Sequence, residues 1–217
     1  PDAADGEYLY PRLNAEHFEY LLAHANLSRE CYSYSDFIYS AVSAVPTSLA
    51  QSQASRLGLS GFKSYLLVEP THLRADRDRL LIAESELLQL NHDEAATIIA
   101  AVNQHFAEEL SLFYLSDELW LAGLNWEVTE LISSPIIDIL GENVDDFLPS
   151  GPERLALHRL INEIQMLLYN LPLNQQRQNE GLLPVNSLWL WDKPVSKLNL
   201  ANPAAIISSN SLIGQPL

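Results

Sequence analysis

GPERLALHRLINEIQMLLYNLP, residues 151–172, carries Leu157, Leu160, Ile161, Ile164, Leu167, Leu168 and Leu171 at helical spacing. Apolar residues three and four apart share one face of an α-helix, so the stretch predicts an amphipathic helix that needs a core to cover it. Pro172 closes it, since an interior proline removes a hydrogen bond and clashes with the preceding turn. VNSLWLW, residues 185–191, follows as a strand with two tryptophans. Whether such helices and strands alternate strictly or occur in blocks decides the fold class.

Upstream they occur in blocks. NHDEAATIIAAVNQHFAEE, residues 91–109, places Ala95, Ile98, Ile99, Val102 and Phe106 on one helical face, with Asn91 and Glu94 spaced as a capping box. LSLFYLS and LWLAGL, separated by Asp117-Glu118, read as an aromatic β-hairpin. SYLLV (64–68) and LLIA (80–83) read as strands on either side of a charged stretch. Near the start, Asn14 caps a helix over 15–25, a second helix runs through SYSDFIYSAVSAV (33–45), and TSLAQSQASRLG (47–58) ends with Gly58 at the C′ position. The expectation is a single α+β domain over 1–217, helices packed on a mostly antiparallel sheet; the alternative is an α/β, alkaline-phosphatase-like fold.

Composition limits the function. Twelve Lys plus Arg against 28 Asp plus Glu give a formal net charge of −16, with 47% hydrophobic and 18% charged residues. Ordinary hydrophobicity implies a real core. The acidity disfavours nucleic acid and anionic membrane surfaces as partners. Cys31 is the only cysteine, which fits a reducing cytoplasm. No run reads as a signal peptide or membrane span. The expectation is a cytoplasmic protein.

EPTHLRADRDR, residues 69–79, is the densest ionisable stretch. Its His72, Arg74, Asp76, Arg77 and Asp78 suit an anion site, since guanidinium forks match carboxylate and phosphate. The other reading is a connector whose arginines neutralise their aspartates. A second polar set lies along the long helix at Asn162, Glu163 and Gln165 and continues past it at Asn174 and Arg177. They read either as ligand contacts or as a hydrogen-bond network pinning the VNSLWLW strand. The six histidines form no metal-binding pattern, and GxxxxGK[ST], GxGxxG and GxSxG are missing. The four tryptophans suit a core, a binding wall or an oligomer interface.

EPTHLRADRDRLLI and FLPSGPERLALHRLINEIQMLLYNLPLNQQRQNEGLLPVNSLWLW resemble a bacterial family called regulatory protein, RpfE type, also named a predicted cofactor-independent phosphoglycerate mutase. The likeness departs at Glu69-Pro70 and at Asp192-Lys193-Pro194, and it implies a chain lacking terminal segments of a longer protein. Taken as a mutase, it implies a serine nucleophile and two divalent metals held by Asp and His. No Asp-His pair occurs, and Ser64, Ser111 and Ser187 have no acidic cluster beside them in sequence. Two expectations result. One is a regulatory or interaction protein without a cofactor, binding a protein partner or small anion, with a homodimer allowed. The alternative is a divergent metal-dependent mutase or phosphatase, with His72, Asp76 and Asp78 on a metal such as Mn²⁺ and Arg74 and Arg77 clamping phosphate.

Overall fold

β1 (Ser64–Thr71) is the strand on which the molecule is built. The computed structural model of the protein describes residues 48–192 apart from 78 and 84. Packing of the backbone divides the chain into Pro1–Tyr32 and Ser33–Leu217, and the described residues belong to the second unit. The helices expected over 15–25 and 33–45, Cys31, and Lys193-Pro194 lie outside the described residues.

The order is α1 (Leu49–Arg56), β1, β2 (Leu73–Asp76), β3 (Arg79–Ile82), α2 (His92–His105), β4 (Leu110–Tyr114), β5 (Trp120–Leu124), α3 (Arg154–Tyr169), α4 (Pro172–Asn179) and β6 (Ser187–Trp191). The main sheet runs β4-β5-β1-β6, and every pair in it is antiparallel. β2 and β3 form a separate two-stranded sheet. The described part is thus α+β, with helices packed on an antiparallel sheet.

Alternation along β1 explains why both faces are covered. Leu66 and Val68 meet α2 and α3 through Ile98, Val102, Leu160 and Ile164. Tyr65 and Leu67 point the other way, into a second core with Leu49, Ile136, Ile139, Trp189 and Trp191. A strand covered on both sides has no reason to alternate polar and apolar residues, and WLAGL and SLWLW are buried at every position. Trp120, Trp189 and Trp191 are interior residues, so core packing is their role.

Local signals account for the helices. Asn91 and Glu94 make the reciprocal capping box of α2. α3 buries Leu157, Leu160, Ile161, Ile164 and Leu168, the expected stripe. Pro172 ends that stripe and then opens α4 from its first turn, where its missing N–H costs nothing. Asn103 on α2 bonds both the N–H and the carbonyl of Leu112, at 2.6 and 3.0 Å, which occupies the open edge of β4.

Gly123 fits β5 because the Phe62 ring lies over it; an added Cβ would stand 2.6 Å from Phe62 Cγ. That ring is held edge-on against Tyr65 and Phe113, so it cannot move aside freely. Gly123→Ala is therefore expected to lower stability by about 1–3 kcal/mol, read as a lower urea midpoint with an unchanged slope. An unchanged midpoint would show that the ring yields.

Candidate functional site

The charged stretch runs from the end of β1 into a hairpin. β1 continues through Pro70 to Thr71, because β5 pairs with β1 only as far as Val68 while β6 pairs on the other side. The N–H that proline lacks is therefore not needed by β5. Residues 73–76 and 79–82 then pair with each other, Leu73↔Ile82 through Asp76↔Arg79. Arg77 turns the chain with φ 57°; Asp78 lies outside the described residues. Leu73, Leu80 and Ile82 pack on the second core. Directly opposed residues share a face, so Arg74, Leu81, Asp76 and Arg79 form the outward one, and Arg74, Asp76, Arg77 and Arg79 are exposed. No ion pair joins these four to another described residue.

The base of the hairpin is anchored to the segment before β6. His72 Nδ1–H donates to the Pro184 carbonyl at 2.9 Å; a carbonyl only accepts, so this nitrogen carries the proton and Nε2 is the ring's other polar atom. The Asn186 side chain accepts from Leu73 N–H at 2.7 Å and donates to the Leu73 carbonyl at 2.8 Å. The charged stretch is thus tied at His72 and Leu73 to Pro184 and Asn186.

A cavity of about 290 Å³ opens beside this anchor, bordered by His72, Arg74, Leu81, Leu87, Leu140 and Leu183. Across the Ser85–Leu88 turn lies a smaller one of about 120 Å³ with Glu69, Glu86, Glu118 and Ser85. A cavity of about 450 Å³ near Lys63 and Tyr65 reaches the limits of the described residues at Ser48 and Asp192.

Glu69 is the titrating group that the sequence reading passed over. Burial pushes its carboxyl from the ordinary 4.5 to about 7, against the lowering effect of hydrogen bonds from Ile136 N–H and Trp191. The Ile136 bond measures 3.2 Å, and Glu118 and Asp138 add repulsion. Glu118 is also raised, first by burial and then by Glu86 and Asp117. Like charges around partly desolvated carboxyls favour the protonated form. The visible signal was a lone acid between Val68 and Pro70 in an apolar strand.

The other candidates do not line the His72–Arg74 cavity, and Asn174, Gln165 and Arg177 bond within the fold. Asn174 Nδ2 donates to the carbonyls of Leu168 and Val185 at 2.8 and 2.7 Å, and its Oδ1 accepts from Val185 N–H at 2.8 Å. Gln165 Nε2 donates to Ser187 Oγ at 3.1 Å, Glu163 pairs with Arg159 at 3.1 Å, and Asn162 is exposed. Arg177 is fully buried. It pairs with Glu94 at 2.6 Å and donates to the carbonyls of Leu183, at 2.9 Å, and Leu88. Arg177 thus fixes Leu183, and the neighbour of Leu87, at the cavity wall.

No family model matches the chain. In sequence it is similar to the 2,3-bisphosphoglycerate-independent phosphoglycerate mutase of Methanosarcina mazei, 32% identical over 105 residues, 47% of this chain and 26% of the relative. The enzyme of that name from Methanosarcina acetivorans is 32% identical over 104 residues, with the same coverage of both chains. The probable enzyme of Geobacter sulfurreducens is 40% identical over 57 residues, 26% of this chain and 14% of the relative. The chain is similar to phosphoglycerate mutases. It spans about a quarter of the length of the Methanosarcina relatives. Among solved structures, a cofactor-independent phosphoglycerate mutase from Thermoplasma acidophilum aligns with a TM-score of 0.48 and 15% identity, over 67% of this chain and 41% of that one.

These relatives correct the expectation that no cofactor is involved, because the mutases they are named for are metal-dependent. Among the described residues no three His, Cys, Asp or Glu side chains are grouped to hold a metal ion. They supply no metal cradle, and no chemical step is assigned to a metal on them. Nor is any helix among them long and apolar enough to cross a membrane.

Proposed function

We propose that this protein is a phosphoglycerate mutase-like protein that binds a phosphorylated three-carbon acid, with the outward face of the β2–β3 hairpin contributing to recognition of the anion. The observation that carries this reading is the 32% identity to curated mutases over about half of the chain. It is supported by arginines exposed on one small hairpin within a chain of net charge −16. A guanidinium presents several N–H donors in a plane and pairs with phosphate oxygens in twos. Arg74 and Arg79 stand on one face, two residue pairs apart in the register, so both can approach one anion. Asp76, directly opposite Arg79 in the register, repels an anion entering from its own side. A cytoplasmic setting belongs to the same reading.

Calorimetric titration with 3-phosphoglycerate in a buffer containing Mn²⁺ tests it. Saturable binding is expected, weakened about tenfold or more by Arg74→Ala and by Arg79→Ala, the effect of losing a charge-assisted hydrogen bond of about 1.5–3 kcal/mol. Binding that is equal in both variants would remove the hairpin from the site.

A further inference from the structure

The cavity beside the hairpin has a composition that a small polar phosphate ester does not need. Four leucines border it: Leu81 from β3, Leu87 from the Ser85–Leu88 turn, Leu140 and Leu183. Among the described residues that border it, the side chains able to meet a charge are His72 and Arg74, two residues apart on one stretch. Leu87 and Leu183 keep 58% and 37% of their surface exposed. A single exposed leucine is ordinary, but two converging on one concavity leave apolar surface for something to cover. The Arg74 guanidinium, in no ion pair with a described residue, borders the same space.

The wall is also preformed. Arg177, with no exposed surface, bonds the carbonyls of Leu88 and Leu183. His72 is fixed through Nδ1 to Pro184, the residue after Leu183. A ligand would not have to order these groups, which lowers the cost of binding. A volume of about 290 Å³ lies near the lower end of small-molecule sites, about 300–1,000 Å³. An apolar pocket with a few polar groups on one side orients a ligand that is itself divided in this way.

We propose that this cavity binds a small amphiphilic anion, a carboxylate or phosphate monoester on a short apolar chain. Its head group meets Arg74 and His72, and its chain covers Leu87, Leu140 and Leu183. Arg74 is common to this site and to the hairpin face proposed above, but Leu87, Leu140 and Leu183 lie outside that hairpin, so the apolar half of the site does not rest on the mutase reading.

Calorimetric titration of the whole protein with octanoate, inorganic phosphate and octylamine decides it. Octanoate is expected to saturate, inorganic phosphate to bind about tenfold more weakly or worse, and octylamine not to bind. Arg74→Ala and Leu87→Asp are each expected to weaken octanoate about tenfold or more, while Arg154→Ala, at an exposed arginine of α3 that does not border the cavity, leaves it unchanged. Leu87 is mostly exposed, so its variant is expected to fold, and a thermal melt checks this. Octylamine binding as well as octanoate would mean a merely apolar surface. Phosphate binding as tightly as octanoate would mean an anion site with no use for the leucines. Octanoate binding that survives both cavity variants would place the ligand elsewhere. Each of these three results overturns the proposal, and none depends on turnover.

Discussion

Arg177→Met is expected to cost about 3–5 kcal/mol of stability, the range for breaking a buried ion pair from one side. The arginine has no exposed surface, and its partner Glu94 keeps 13% of its side-chain surface. Removing the guanidinium leaves that carboxylate desolvated without a counter-charge, and the carbonyls of Leu88 and Leu183 lose their donor. Glu94 also accepts from Asn91 N–H at the start of α2, at 3.1 Å, so the disturbance reaches the helix cap. Adding Glu94→Gln to the variant is expected to restore part of the loss, because it removes the stranded charge. Urea unfolding checks both. A loss below about 1 kcal/mol would show that water reaches the pair.

The second large effect concerns pH. The Glu69 carboxyl titrates near 7 in the folded protein, against an ordinary value of 4.5. Its folded-state value is raised, so between those two values the folded state holds more protons than the unfolded one. Stability must then fall as pH rises through this window. The penalty is complete above about pH 7 and amounts to about 3 kcal/mol at most, at about 1.4 kcal/mol per tenfold. Glu69→Gln keeps an oxygen for the Ile136 N–H and removes the charge. The variant is expected to be the more stable at about pH 8, with the difference closing towards about pH 4. Glu118 and Asp138 feel the Glu69 charge, so the difference reports Glu69 together with its repulsion from these two neighbours. A difference that stays constant across the range would mean that Glu69 is solvated.

What was legible in the sequence was local. The stripe of α3, the capping box of α2 and the β4–β5 hairpin each follow from spacing within one segment. The β2–β3 hairpin did not, since Arg-Ala-Asp-Arg-Asp-Arg offers no glycine or asparagine turn, and Arg77 takes a positive φ that arginine seldom adopts. Its apolar face, Leu73, Leu80 and Ile82, was hidden among charges. His72 and Arg74 were legible as polar residues, and both border a cavity; of the leucines completing it, Leu140 and Leu183 come from distant segments that no periodicity links to the hairpin. Arg177 and Asn174 read equally well as ligand contacts, because partners 83 residues away, such as Glu94, are invisible in sequence.

The central claim, a phosphoglycerate mutase-like protein, meets its most direct test in turnover. Purified protein with 3-phosphoglycerate and Mn²⁺ is followed for 2-phosphoglycerate, with and without a chelator. Metal-dependent conversion, reduced about tenfold or more in Arg74→Ala, is the predicted result. No conversion above a protein-free blank, at saturating substrate and metal, would contradict it.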